Sequence, residues 1–428
     1  MFTAAFTAVS MGLQAQDWPQ YMGPTRNGYS PQQNILRSWP SAGPQVLWES
    51  EVGIGFGGPS VVGGKVYLLD RQDDDNEAVR CLDLTSGREL WKYAYKAEGK
   101  FNYPGSRGVP TVDSGKIYTC GQNGDLYCLD ASSHQVVWHH NIWTEFGGGT
   151  LPFWAVSQCP LIYGDMVIVL SGTPSTGMIA FNKNSGQVVW KTGSLGDETY
   201  ASPTLVRIDG KDQIAIAISS TNSFRHAELP VQRGKIYGLD PATGGILWRY
   251  DGWDNIIQCS EITDCGQNRL LAVGGYDMGS TMLQISQDAD GRYQAKALFS
   301  TTEFGDHTKP AILYKDHLYA EYGTNNRRDG MVCMDLQGNL KWKTGRNPNF
   351  DKGSIIVAGD LFLASDGVQS IYLIEPSPEG YRQISKMTIL KSKDGKGGGS
   401  QNWAPLALAD GKLLVRDQAR MYCVKVAE

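Results

Sequence analysis

The amino-acid sequence predicts an all-β protein, an eight-bladed β-propeller whose blades are four-stranded antiparallel sheets. Three observations lead to this prediction. A phrase of about eleven residues that ends in tryptophan recurs along the chain, a β-hairpin signal precedes each copy, and the last unit lacks a strand that the N-terminus can supply. The units recur every roughly 40 to 50 residues, and this spacing is the typical length of a propeller blade.

The recurring phrase predicts the outer hairpin of a blade. An apolar or small residue is followed by Asp or Asn, a turn with Gly, and an apolar strand that closes on Trp. Asp and Asn side chains hydrogen-bond turn backbones, and Gly readily adopts positive φ. His134 stands where the other copies have Gly. The copies are CLDLTSGRELW from Cys81, CLDASSHQVVW from Cys128, AFNKNSGQVVW from Ala180, GLDPATGGILW from Gly238 and CMDLQGNLKW from Cys333.

The segments upstream of these phrases predict the inner hairpin. Alternating β-branched residues flank a Gly-Lys or Gly-Asp turn, which is a strand-turn-strand signal. Two further units, from about Cys259 to Ala297 and from Ser354 to about Met387, keep the strands and lose the Trp. Eight inner turns result, near Gly64, Gly115, Gly164, Gly210, Gly266, Asp316, Gly359 and Gly411.

The chain ends at Glu428, before the outer strand of the last blade. PQVLWESEV, which carries Trp48, supplies that strand from the N-terminal side, and ring closure removes the open sheet edges. We expect residues 1–15 to be a signal peptide, residues 16–44 a lead-in, and residues 45–428 a single eight-bladed propeller.

The repeated tryptophans and cysteines have a structural explanation. Neighbouring blades diverge outward, and a large indole fills the widening gap. This interpretation covers Trp48, Trp91, Trp138, Trp190, Trp248 and Trp342. Cys81, Cys128, Cys333 and Cys423 share one place in the repeat, which indicates core thiols rather than a disulfide framework.

The composition and the N-terminal segment limit the functions and cellular locations that the sequence is compatible with. The formal net charge is -5 and no run of Lys and Arg is present, which argues against nucleic-acid binding. MFTAAFTAVSMGLQA resembles the apolar region and cleavage site of a secretory signal, so we expect a periplasmic or extracellular protein. No other stretch approaches the roughly 18 apolar residues of a membrane span, and we expect a monomer.

The tryptophan-docking phrase resembles the repeat of quinoprotein-like propellers. The lead-in DWPQYMGPTRNGYSP, from Asp17 to Pro31, resembles that of a bacterial branch of pyrroloquinoline-quinone-like repeat proteins. The resemblance covers essentially all of the chain after residue 16. It implies the fold strongly and the activity weakly, because members include quinone-dependent alcohol dehydrogenases, outer-membrane assembly scaffolds and exported proteins without an assigned activity.

The dehydrogenase members carry an adjacent Cys-Cys pair above the quinone and hold Ca²⁺ with Glu, Asn and Asp. This sequence has no Cys-Cys pair. Its acidic cluster, Asp73 to Glu77, lacks the spaced ligands of a calcium loop and is interpreted as a solvated hairpin tip. We therefore expect no cofactor and no metal; pyrroloquinoline quinone with calcium remains a disfavoured alternative.

The loops that enter the first strand of each blade predict the ligand site. They converge on one mouth of the channel, the funnel, and are rich in Gly, aromatic residues and single charges. The loop YGTNNRRDG, which includes Arg328, joins the same face. The predicted ligand-binding residues are Arg107, Trp154, Gln158, Tyr200, Gln258, His307, Lys309, Asn325, Arg327, Gln401 and Trp403.

These residue types indicate that the protein binds a polar, carbohydrate-derived small molecule. We expect it to be non-catalytic or weakly catalytic. Two alternatives stay open. One is an oxidoreductase or lyase on sugars or alcohols, quinone-dependent or using His307 with Tyr200 or His226 as acid and base. The other is a scaffold for protein partners of the outer-membrane assembly type. The aromatic residues have a structural alternative as well: they fill the channel or pack under the loops and contact no ligand.

Overall fold

The computed structural model describes residues 16–196, 198–220, 233–323, 327–391 and 401–428. Within them, eight antiparallel four-stranded blades follow one another along the chain, which confirms the predicted propeller. The first four blades comprise Ser60–Val62, Lys65–Arg71, Asn76–Asp83 and Glu89–Lys96; Thr111–Asp113, Lys116–Cys120, Asp125–Asp130 and Val136–Asn141; Leu161–Tyr163, Met166–Leu170, Met178–Asn182 and Val188–Lys191; and Thr204–Ile208, Lys211–Ile218, Lys235–Leu239 and Ile246–Tyr250. A short 3₁₀ helix, Thr144–Phe146, lies between blades 2 and 3.

The second half of the ring repeats the pattern of the first half. Blades 5 to 8 comprise Thr263–Asp264, Arg269–Gly274, Gly279–Gln287 and Tyr293–Thr301; Ile312–Tyr314, His317–Gly323, Arg328–Asp335 and Leu340–Lys343; Ser354–Ala358, Leu361–Ser365, Ser370–Glu375 and Arg382–Thr388; and Ala407–Ala409, Lys412–Arg416, Arg420–Lys425 and Val46–Glu51. No helix in the described part of the chain is long and apolar enough to cross a bilayer.

The ring closes as predicted. Val46–Glu51 pairs antiparallel with Arg420–Lys425 and completes blade 8, with Trp48 opposite Cys423. The blade is therefore assembled from the two ends of the propeller sequence.

The tryptophans dock each blade against the next. Each lies opposite a small residue of the third strand, such as Cys128 opposite Trp138 and Gly238 opposite Trp248. The indole N–H of Trp190 donates to the carbonyl of Pro241 in the next blade, at 3.1 Å. All eight cysteines have free thiols, and the four in the repeat are buried, which confirms their prediction as core thiols.

Each fourth strand carries a β-bulge at the same place. One residue is skipped in the pairing just before the tryptophan position. Bulges bend and twist an edge strand and so discourage pairing with another chain. The skipped residues are Leu47, Leu90, Val137, Val189, Leu247, Leu298, Lys341 and Ile384.

The lead-in, residues 16–44, crosses the ring on the side away from the funnel. Tyr29–Ser30 pairs in parallel with the first strand of blade 7. Trp18 exchanges backbone hydrogen bonds with blade 1 and is buried. The lead-in contacts one or more residues in or beside every blade: Val61, Val112, Cys159, Pro203, Glu261, Leu313, Val357 and Val426.

Candidate functional site

A cavity of about 470 Å³ lies in the funnel. Its lining comes from the loops that enter the first strands, as predicted for the mouth of a propeller channel. The loops between second and third strands add Tyr276, Arg328 and Val368. The blades thus position short loops around one concave surface, in the way that ligand sites are commonly built on a rigid scaffold.

Aromatic side chains form one wall of the cavity. Trp403 lies 5.4 Å from Phe56 and 5.6 Å from Tyr103, measured between ring centroids. The Lys352 ammonium lies 4.6 Å from the Trp403 ring centroid, and the Arg107 guanidinium lies 5.7 Å from that of Phe56. Cations over aromatic faces keep both groups in fixed positions at the cavity.

Basic side chains outnumber carboxylates in the lining. Arg107, Lys309, Arg328 and Lys352 line the cavity together with Glu261 and Asp351. The Lys309 ammonium donates to the Trp403 carbonyl at 2.9 Å, and that of Lys352 donates to Asp351 at 3.0 Å. Burial lowers the pKa of Lys309 and lowers the pKa of Arg107 to about 10. Since burial disfavours charge, an anionic ligand would relieve this cost.

His307 presents a neutral imidazole to the cavity. It is 8 % exposed, and burial followed by repulsion from Lys352 and Lys309 lowers its pKa to about 3. Its Nδ1 is buried without a hydrogen-bond partner in the described part of the structure. Nδ1 packs on Gly275, where a Cβ atom would lie 1.9 Å from it. Gly275 therefore leaves the room that the imidazole occupies, and the lowered pKa keeps the ring uncharged at neutral pH.

Tyr21 of the lead-in and Glu261 also line the cavity. The Tyr21 hydroxyl donates to the Glu261 carboxylate at 3.0 Å. Burial raises the pKa of Glu261, and nearby Arg26 opposes this shift. A residue of the lead-in thus belongs to the cavity surface.

Seven of the predicted ligand-binding residues line the cavity: Arg107, Trp154, Tyr200, His307, Lys309, Gln401 and Trp403. Arg327 instead donates to Asp329 at 2.7 Å and lies over the Tyr322 ring, while its neighbour Arg328 lines the cavity. His226 and Asn325 lie outside the described residues.

Gln158 and Gln258 face away from the cavity. The Gln158 amide donates to the Ala201 carbonyl at 3.1 Å, and the Gln258 amide donates to the Ser260 carbonyl at 2.6 Å. Their sequence neighbours on both sides line the cavity instead: Ser157, Cys159, Ile257 and Cys259. Extended backbone alternates its side chains between two faces, and these two residues lie on the face opposite the cavity.

Several lining residues were not predicted. Asp351 and Lys352 lie in the loop NFDKGS, residues 349–354, which enters the first strand of blade 7, and their charges were a usable signal. Tyr21 lies in the lead-in, where no repeat pattern indicated a channel position. In the acidic cluster, Asp73, Asp74 and Asp75 are exposed, as interpreted, but Glu77 is not. Glu77 is fully buried rather than solvated, and it accepts hydrogen bonds from Tyr95 and Ser106.

Comparisons with known proteins agree with this architecture. A family model described as outer membrane protein assembly factor BamB matches residues 74–255. Quinoprotein ethanol dehydrogenase of Pseudomonas aeruginosa is 28% identical over 163 residues, which are 37% of this chain and 24% of that protein. BamB of Shewanella oneidensis is 31% identical over 160 residues, 34% of this chain and 36% of that protein. The matches thus span about a quarter to a third of these relatives.

Among solved structures, a europium-containing methanol dehydrogenase superposes with a TM-score of 0.67 at 14% identity, covering 95% of this chain and 98% of that one. At this identity the likeness concerns the fold alone. The tryptophan-docking repeat, the eight closed blades and the sequence matches make the chain similar to quinoprotein-like β-propellers built from PQQ-like repeats.

Proposed function

We propose that the funnel binds a polar, carbohydrate-derived small molecule that carries a carboxylate, such as a sugar acid. The observation that carries the proposal is the cavity of about 470 Å³ whose lining combines aromatic faces with basic side chains. Its volume falls in the range of a few hundred Å³ that is usual for small-molecule sites. In this proposal the protein is exported and works in the periplasm or outside the cell.

The lining matches both parts of such a ligand. The faces of Trp403, Phe56 and Tyr103 suit the flat, apolar side of a sugar ring, and Lys309 and Lys352 suit its carboxylate. Hydrogen bonds between charged partners are roughly twice as strong as neutral ones. His307 adds a neutral hydrogen-bonding group between these charges.

The protonation states favour binding over acid and base catalysis. A general acid or base works best when its pKa lies near the working pH. The pKa of His307 is lowered to about 3, whereas burial raises that of Tyr200, whose hydroxyl donates to Glu198. Neither group is poised for proton transfer at neutral pH, so we propose a protein without strong catalysis.

A thermal-shift comparison of glucuronate with glucose tests the proposal, because the two differ only in the carboxylate. Glucuronate should raise the unfolding temperature of the wild type by a few degrees, and glucose should have little effect. Lys352→Met should remove most of that shift. Lys341→Met, which removes a charge on an outer strand that pairs with Asp335, is the matched control and should keep it. Equal responses to both sugars would contradict the carboxylate part of the proposal.

A quinone-dependent oxidoreductase is the second candidate, and it rests on the dehydrogenase relatives. The basic lining would match the carboxylates of pyrroloquinoline quinone. The calcium donor set fits poorly, because no group of three or more His, Cys, Asp or Glu gathers within the described residues. Glu261 is engaged by Tyr21, and Asp351 by Lys352. Added quinone and Ca²⁺ should produce quinone absorbance and dye reduction only if this candidate is right.

An assembly scaffold is the remaining alternative, and it rests on the relatives described as assembly factors. A scaffold would bind its partners through outer surfaces, and no small molecule of a sugar panel would then raise its unfolding temperature. The same thermal-shift panel therefore separates this alternative from a ligand-binding funnel.

A further inference from the structure

The lead-in occupies the centre of the ring. Tyr21 and Met22 are buried, and they belong to one apolar cluster with Val109 and Cys159 from one side of the ring and Val357 from the other. Residues on opposite sides of a propeller channel meet in one cluster only when something fills the space between them. Here the filling side chains come from the lead-in.

Arg26 fastens the lead-in inside the channel. Its guanidinium donates to the carbonyls of Cys159 and Pro160, each at 3.2 Å, and to that of Pro203 at 3.4 Å. The side chain is 9 % exposed. Backbone carbonyls beside two neighbouring blades are thereby bonded to one side chain of a segment that precedes the propeller in sequence.

We propose that the lead-in closes the channel below the funnel and supplies the floor of the ligand site. The cavity is then a blind pocket, and a ligand that fills it contacts Tyr21. A blind pocket accepts a free small molecule or the terminal unit of a chain, whereas an open channel would accept an internal stretch threaded through it. The ligand part of this inference rests on the proposed function.

Cys159 reports on the floor without any ligand. It lines the cavity, is 7 % exposed, and contacts the lead-in through its carbonyl. Cys423, fully buried inside blade 8, is the matched control. Maleimide labelling at a fixed alkaline pH, read by peptide mass spectrometry, gives the ratio of the two rates.

The test cuts the folded protein. A protease site is placed at the exposed residues 40–42, the purified full-length chain is cleaved, and the N-terminal fragment is released with mild denaturant that preserves the β-sheet circular dichroism. Release should raise the labelling of Cys159 relative to Cys423 at least about tenfold and abolish the thermal shift by glucuronate. Unchanged Cys159 labelling after release would overturn the closed floor, whether or not a sugar acid binds.

Two variants of the intact chain test the same proposal without cleavage, so that unfolding of the cut ring cannot explain their results. Tyr21→Phe keeps the ring in place, so Cys159 labelling should stay unchanged while the affinity for glucuronate falls several-fold. Tyr21→Ala opens the floor and should raise Cys159 labelling. An oligosaccharide with uronate only at internal positions should bind at least about tenfold more weakly than free glucuronate. Equal affinity for that oligosaccharide, or an unchanged affinity in Tyr21→Phe, would overturn the blind-pocket part of the proposal.

Discussion

At the docking tryptophans of blades 8, 1, 2 and 3, a turn residue of the next blade lies against the indole. Gly244 has φ +72°, and a Cβ atom there would lie 2.5 Å from the Trp190 ring. The position therefore needs glycine both for its backbone and for the close approach of the indole. Gly244→Ala should lower the free energy of unfolding by about 2 to 4 kcal/mol, because left-handed strain and overpacking add. Urea unfolding followed by circular dichroism measures the loss.

His134 provides the matched control, since it occupies the same turn position in blade 2. It has φ +63° and stacks on Trp91 with centroids 4.7 Å apart. Among the described residues the buried indole N–H of Trp91 has no hydrogen-bond partner, unlike its equivalents in Trp48, Trp138 and Trp190. His134→Ala keeps the backbone strain and loses the stacking, so it should cost only about 1 kcal/mol. Equal losses in the two variants would contradict the explanation by close approach.

His307 makes stability depend on pH in a defined direction. Its folded pKa of about 3 lies below the ordinary value of 6.5, so the folded protein favours the neutral ring. As pH falls through 6.5 the unfolded chain binds the proton first, and this contribution to stability is lost progressively until about pH 3. Unfolding free energies measured from pH 7 to about pH 4 should fall by at most about 1.4 kcal/mol per unit from this group.

The control for that pH dependence is His307→Asn, which removes the titrating group. Its stability at neutral pH reflects altered packing, so the comparison uses the slope against pH rather than the absolute value. The variant should have a shallower slope below pH 6.5 than the wild type. Identical slopes would show that His307 is not held neutral by the fold.

Among the elements, the closing strand Val46–Glu51 is held in blade 8 by pairing and by Trp48, whose indole donates to the Leu84 carbonyl at 2.8 Å. Its amides should exchange with deuterium as slowly as those of the fourth strands of other blades. Trp48→Ala should accelerate exchange in blades 8 and 1 before the rest of the ring. Fast exchange of this strand in the wild type would contradict closure by the N-terminal strand.

The hairpins and their docking were predictable because they depend on local signals: turn glycines, period-two alternation, and a tryptophan at a fixed distance from an Asp or Asn. The bulges before each tryptophan were not predictable in this way, because a skipped residue such as Val189 leaves no distinct residue type in the sequence. The sequence also did not show that Gln158 and Gln258 face away from the cavity. Alternation assigns successive residues to two faces of a strand, but it does not say which face meets the channel.

For the whole molecule, the repeat predicted the ring, the position of its closure and the mouth where the loops converge. The floor of the funnel was not predictable, because the lead-in spreads its contacts over residues in or beside every blade and has no repeat of its own. Tyr21 reaches Glu261 across 240 positions of sequence. The charge of the funnel was only partly visible, since Lys352 and Asp351 required the fold to bring their loop beside Lys309 and Trp403.

The central claim is that the funnel is a basic, aromatic site for a carboxylate-bearing ligand. Titration calorimetry of the wild type with glucuronate and with glucose at the same pH and salt tests it most directly. We predict saturable one-to-one binding of glucuronate that is at least about tenfold tighter than that of glucose, which corresponds to about 1.4 kcal/mol. Equal affinities, or no heat from either sugar while pyrroloquinoline quinone binds, would contradict the claim.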